Sequence, residues 1–114
     1  MKMKMFVALF LGLLTLNAAA QFTGPSATAQ QTTVAQISDR WFGRYVTVTG
    51  HIIAHHREDY YTFRDATGEI RVEIEKDVWQ NRKIGPETKV RLRAEVDRGL
   101  AGRYLWVESL QVVD

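Results

Sequence analysis

The clearest pattern in the chain lies at residues 60–77, reading YYTFRDATGEIRVEIEKD. Ile70, Val72 and Ile74 alternate there with Glu69, Arg71, Glu73 and Glu75. Alternation with period two marks a strand with one buried and one wet face. A similar run at 60–64 precedes it across Asp65-Ala66-Thr67-Gly68. Gly68 suits the positive-φ position of a tight turn, and Asp65 is placed to cap that turn through its carboxylate. The segment therefore predicts a β-hairpin.

The same logic extends in both directions. At 89–97, Val90, Leu92, Ala94 and Val96 point inward, and Lys89, Arg91, Arg93, Glu95 and Asp97 outward. Residues 98–102 form a turn, and 103–113 form a last strand. Its phase slips from odd (Leu105, Val107) to even (Leu110, Val112), which predicts a bulge near Glu108 and Ser109. Upstream, 44–56 reads as a long strand with Val46, Val48, Gly50 and Ile52 on one face. A glycine in mid-strand predicts a bulge or sharp coil, by which one strand serves both halves of a small barrel.

Residues 76–84 lose the alternation; Asp77 is a candidate cap for a short helical turn carrying Val78 and Trp79, stopped by Gly85-Pro86. Before the first long strand, Val34, Ile37 and Trp41 have helical spacing, with Thr32 or Thr33 as N-cap and Gly43 as exit, predicting one short helix over 33–40. Phe63, Trp41 and Trp79 are assigned to the core. The expected fold is all-β: a five-stranded oligonucleotide/oligosaccharide-binding (OB) barrel with an N-terminal helix and a short helical turn between the third and fourth strands. An SH3-type sandwich is the alternative, although it more often has a tight last turn and no helix after its third strand.

The N-terminus changes the charge picture. Lys2 and Lys4 precede an uncharged apolar run at 6–16, and Ala18-Ala19-Ala20 supplies the small residues a signal peptidase requires. The run is well short of the ~20 residues that span a bilayer. With no cysteine to carry a lipid, the expectation is a cleaved secretory signal at 1–20, a flexible arm at 21–32 interrupted by Gly24-Pro25, and one OB domain at 33–114. Of 15 basic residues, Lys2 and Lys4 leave with the leader, so 13 remain against 13 acidic ones. The sequence pI near 9.1 thus reflects the leader and is no sign of nucleic-acid binding. Without disulfides, a domain of this size depends on strand pairing and a compact core.

Candidate chemistry is sparse. The three histidines all fall on the first long strand. His51 and His55 stand roughly 13 Å apart along it, too far for one metal with bonds of about 2 Å. His56 with Glu58 or Asp59 is the candidate metal grouping, set against the reading as solvated polar residues. The acidic row Glu69, Glu73, Glu75 and Asp77 is expected to face Arg91, Arg93 and Arg98 in exposed cross-strand ion pairs. OB barrels present aromatics for stacking bases or sugars. Tyr45, Tyr60, Tyr104 and Trp106, with Arg71 and Glu73, are the candidate ligand-binding residues; the alternative is that the aromatics plug the barrel ends. No P-loop, dinucleotide fingerprint or nucleophile elbow occurs, so catalysis and cofactors are not expected.

Several segments together carry a resemblance: 22–26 (FTGPS), 33–35 (TVA), 48–52 (VTGHI), 61–74 (YTFRDATGEIRVEI), Trp79, 90–96 and 107–112. They resemble the bacterial periplasmic OB-fold (BOF) family, the YgiW/YdeI type of stress-tolerance proteins, across essentially the whole chain after the leader. The FRDATGEIRVEI segment is the most specific part. The resemblance implies an OB barrel, a periplasmic location, a part in envelope stress tolerance and the binding of small ligands or cations; it brings no catalytic residues. The resulting expectation is an accessory protein binding a small ligand (cation or glycan fragment) or an envelope protein through the face of its first three strands. Alternatives are a single-stranded nucleic-acid-binding OB protein, disfavoured by balanced charge and export, and a structural interaction module using a sheet edge or the arm.

Overall fold

A computed structural model describes residues 30–114; the expected signal and most of the expected arm lie outside the described residues. The barrel strands are β1 (Tyr45–Arg57), β2 (Tyr60–Asp65), β3 (Gly68–Glu73), β4 (Val90–Gly99) and β5 (Gly102–Val112), with a helical turn α1 (Lys76–Trp79) between β3 and β4. Antiparallel β1–β2, β2–β3 and β4–β5 pairs join a parallel β3–β5 contact. Pairing of β1 with β4 closes the ring. This is the five-stranded mixed OB barrel, and its strand order excludes the sandwich alternative.

β1 spans both halves, as its mid-strand glycine predicts. Tyr45 to Gly50 pair with Glu95 to Val90 on β4, and His51 onward pairs with β2. Gly50 sits at the change of partner, where a Cβ would stand 2.2 Å from the Arg64 carbonyl oxygen and 2.9 Å from Phe63 Cζ. The register breaks come just beyond it, between Ile52 and Ala54 and between His55 and Arg57. The bulge expected near Glu108 is present: Arg93 pairs with Ser109 but Ala94 with Val107. The extra residue restores Leu110 to the core after the odd-phase Leu105 and Val107.

The inward residues of all five strands form one core around Phe63, Leu92 and Leu105. Trp41 and Trp79 are partly buried and pack against it. The helix expected over 33–40 is instead a 3-10 turn at Val34–Gln36, ended by extended Ile37. In a 3-10 turn, residues three apart lie one above the other. Val34 and Ile37 are therefore both buried without a longer helix, and Ser38 already turns the chain by accepting the Arg40 N–H. The second helical turn forms where expected, but Glu75 holds the N-cap position and Asp77 lies in the first turn. It stops at left-handed Gln80 and Asn81, before Gly85. A two-residue strand, Gln30–Gln31, lies parallel to β1 and helps bury Thr47.

Candidate functional site

The strand register decides which outward side chains meet. On β3, Arg71 lies opposite Thr62 and Glu73 opposite Tyr60. The parallel contact Val72 with Leu105 and Glu73 with Trp106 brings Tyr104 alongside Arg71. The result is a clamp. The Arg71 guanidinium carbon lies 5.7 Å from the Tyr60 ring centre and 5.4 Å from that of Tyr104. The two rings meet edge-on at 6.4 Å. These are cation–π distances, at which the rings hold the cation without neutralising it. Among the described residues Arg71 makes no ion pair, and its Nε is buried without a hydrogen-bond partner.

The clamp lines a cleft of about 450 Å³ together with His56, Arg57 and the β4–β5 turn at 99–101. Arg57 approaches the Tyr60 ring at 6.0 Å. Gly99 keeps the wall thin: a Cβ there would stand 3.3 Å from Tyr104 Cε1 and 3.4 Å from Arg71 Nη2. The Tyr104 hydroxyl donates to Asp97 Oδ2 at 3.4 Å. Burial, then the Asp97 and Glu73 charges, push the Tyr104 phenol above its usual value, so it remains a donor at neutral pH. A second cleft of about 400 Å³ lies across the turn and shares Arg71 and Ala101. Its charges are largely compensated, with Arg103 on Asp39 at 3.4 Å and Arg64 on Glu69 at 2.8 Å.

The remaining sequence candidates are placed differently. Tyr45, Glu95, Trp106, Glu73 and Tyr60 form one lateral row over β1, β4, β5, β3 and β2. Tyr45 is thus some four strand spacings from Tyr60, about 19 Å around the barrel, and lies under Arg93 at 4.8 Å. Glu73 and Trp106 flank the clamp but do not line the cleft. Burial, then the charges of Glu75, Asp59 and Asp97, push the Glu73 carboxyl up. Among the described residues no ion pair joins the acidic row to Arg91 or Arg98, because β3 neighbours β2 and β5 rather than β4. Arg93 pairs with Glu108.

Among the described residues, no three His, Cys, Asp or Glu side chains stand close enough to hold a metal ion. His56, Glu58 and Asp59 do not converge. His56 Nε2 bonds to Thr62 Oγ1, and His55 Nε2 bonds to the Glu58 carbonyl at 2.8 Å while stacking on Tyr61. Sequence reasoning missed Arg57 and Gly99. Gly99 carried no separate signal, because it lies in the 98–102 segment already read as a turn.

Residues 14–112 match the family described as Bacterial OB fold (BOF) protein. The chain belongs to this family. It is similar to the calcium-regulated OB-fold protein CarO of Pseudomonas aeruginosa, 39% identical over 99 residues that cover 87% of this chain and 85% of CarO. It is 32% identical over 104 residues to the protein YgiW of Escherichia coli K12, covering 82% and 80% of the two chains. A solved structure of E. coli YgiW superimposes with a TM-score of 0.70 at 30% identity, over 81% of this chain and 97% of that one.

The cleft sits where strands β2, β3 and β5 meet beside the β4–β5 turn. It offers a fixed guanidinium, two phenol rings and an open apolar turn, a combination suited to holding a ring and a polar substituent. No helix of the described residues is long and apolar enough to cross a membrane.

Proposed function

We propose that this BOF protein is exported through cleavage after Ala20 and acts in the periplasm, in envelope stress tolerance, by binding a small ligand at the Tyr60–Arg71–Tyr104 cleft. The observation that carries the reading is the Arg71 guanidinium, held against two tyrosine rings at a cleft and left without an ion-pair partner among the described residues. A glycan fragment fits that surface better than a cation, because two arginines and no carboxylate line it. A cation would have to use the acidic neighbourhood of Glu73 outside the cleft. The aromatic candidates divide accordingly: Tyr60 and Tyr104 act in binding, and Tyr45 does not.

The test is a ¹H–¹⁵N correlation spectrum titrated with peptidoglycan fragments, Ca²⁺ and oligo-dT; the calcium regulation named for the Pseudomonas relative makes Ca²⁺ the cation to include. Shifts grouped on Tyr60, Arg71 and Tyr104 support the reading. No shift with any of them turns the proposal towards an envelope protein partner. Strong, salt-dependent binding of oligo-dT favours the nucleic-acid alternative. N-terminal sequencing of protein from the periplasmic fraction is expected to begin at Gln21; a chain retained in the cytoplasm with Met1 rules out export.

A further inference from the structure

We infer that the cleft selects a saccharide bearing a single anionic group, a carboxylate or a phosphate, with Arg71 as its counter-charge. This rests on the ligand-binding reading above and names the chemistry of the ligand.

Three features carry it. First, the charge lining the cleft is one-sided. Arg57 and Arg71 line it and no Asp or Glu does, although the chain after Ala20 carries 13 residues of each sign. A cationic or amino sugar would meet like charge on the cleft wall. Second, Arg71 is pre-oriented yet unspent. Its two ring contacts hold the guanidinium in place, so little rotamer entropy is lost when it meets a ligand. With no ion pair among the described residues, its terminal N–H groups on the cleft wall are available for the two-pronged contact that a carboxylate or phosphate accepts; its Nε is buried behind them without a partner.

Third, the surroundings favour one anion over a chain of them. Glu73 stands next to Tyr60 and Trp106 in the register. Asp97 lies behind Tyr104, and the charges of Glu75 and Asp59 reach Glu73. A phosphodiester strand crossing the barrel from Arg71 would run over these carboxylates, whereas a compact ligand seated between the tyrosines would not. The space suits a small sugar: about 450 Å³ falls inside the ~300–1,000 Å³ of ordinary small-ligand sites. Gly99 leaves room beside Tyr104, and fully exposed Leu100 offers an apolar cover at the turn.

The experiment titrates the protein as recovered from cells with glucuronate, glucose 6-phosphate, glucose and glucosamine, following the same amide resonances and the Arg71 Nε–H. Ca²⁺ and oligo-dT are run in parallel. Glucuronate or glucose 6-phosphate is expected to shift Tyr60, Gly99, Arg71 and Tyr104, and the stronger of the two identifies the anionic group. Glucose and glucosamine are expected to bind at least about tenfold more weakly, the worth of a charged hydrogen-bonded contact. Arg71→Gln should lose about 10- to 100-fold in affinity, with a spectrum otherwise native. Should that variant fail to fold, Arg71→Lys, which keeps the charge and removes the fork, is expected to lose part of the affinity. Equal binding of glucose or glucosamine, or undiminished binding by a folded Arg71 variant, overturns the inference and leaves the ligand-binding face standing. Preference for oligo-dT overturns it in favour of a nucleic acid. Silence towards all four sugars also overturns it, and silence towards the peptidoglycan fragments, Ca²⁺ and oligo-dT as well removes the ligand-binding reading.

Discussion

The Asp65 carboxylate accepts a hydrogen bond of 2.9 Å from the backbone N–H of Val34, 31 residues earlier. Its other oxygen accepts from the Thr67 N–H at 2.8 Å and the Thr67 hydroxyl at 2.6 Å. Thr67 Oγ1 accepts in turn from the Ala35 N–H at 3.0 Å. One side chain thus closes the β2–β3 turn and pins the 3-10 turn that delivers Val34 to the core. This gives the DATG segment a physical reason for its residue types: a carboxylate with two free oxygens, a hydroxyl two residues later, and a glycine at φ 159° to complete the turn.

Replacing Asp65 by Ala strands the Val34 and Thr67 donors, and the expected loss is about 1–3 kcal/mol. Burial alone would raise the Asp65 pKa, but hydrogen bonds from the Thr67 hydroxyl and the Val34, Thr67 and Gly68 N–H groups outweigh it and lower the value. A lowered carboxylate pKa stabilises the fold above the unfolded-state value and stops doing so as pH falls through the folded one. Urea unfolding should therefore show the wild-type advantage over Asp65→Ala in full at pH 7 and shrinking below about pH 4. An advantage that does not change with pH would mean that the ionised carboxylate is not the anchor.

Gly50 provides a sharper structural test. A Cβ there would collide with the Arg64 carbonyl oxygen at 2.2 Å and the Phe63 ring at 2.9 Å. The first obstacle is backbone in a paired strand and has no freedom to swing aside. Gly50→Ala should cost about 1–3 kcal/mol or more, as overpacking does, seen as a lowered urea midpoint. A neutral result would mean that β1 does not change partners at this residue.

Much of this barrel could be read along the chain, because each strand records its own inside and outside. The faultless alternation at 89–97, the slip at Glu108 and the interrupting Gly50 correspond to β4, the β5 bulge and the change of partner in β1. What could not be read depends on contacts between distant segments. The parallel β3–β5 pairing, only Val72–Leu105 and Glu73–Trp106 long, leaves no local mark. Yet it alone seats Tyr104 beside Arg71 and separates the acidic row of β3 from the arginines of β4. Tyr45 and Tyr60 looked equivalent in sequence because each is an outward aromatic. The register puts them at opposite ends of one row. The helix expected over 33–40 failed for another reason: burying Val34 and Ile37 requires only a spacing of three, which a single 3-10 turn supplies. The breaks beyond Ile52 and His55 come after Gly50 rather than at it, where Ile52-Ile53-Ala54 has lost the alternation.

The carboxyl group of Glu73 works against the fold at neutral pH. Burial and the charges of Glu75, Asp59 and Asp97 raise its pKa, so the folded chain holds this proton more tightly than the unfolded one. The penalty is absent below the ordinary carboxylate range and grows as pH rises from there to the folded value, after which it is constant. Glu73→Gln should therefore raise the Tm at pH 7 and leave it unchanged below about pH 4. A fall in Tm at neutral pH would show that Glu73 is held by a favourable contact rather than strained by its neighbours.

Gly99 contrasts with Gly50 and separates the cleft from the fold. A Cβ at Gly99 would press on Tyr104 Cε1 at 3.3 Å and Arg71 Nη2 at 3.4 Å, both of them side-chain atoms on the cleft wall. They can yield by a few tenths of an ångström, so Gly99→Ala should change stability by less than about 1 kcal/mol. The atoms that yield are those proposed to hold the ligand. Affinity for glucuronate should therefore fall several-fold while the urea midpoint stays near wild type, whereas Gly50→Ala should lower the midpoint and leave the affinity of the folded fraction intact. If Gly99→Ala binds glucuronate as tightly as the wild type, Arg71 and Tyr104 are not held in a geometry that binding needs. The recognition surface would then have to be sought on the other side of the β4–β5 turn, in the cleft lined by Asp39, Phe42 and Arg98.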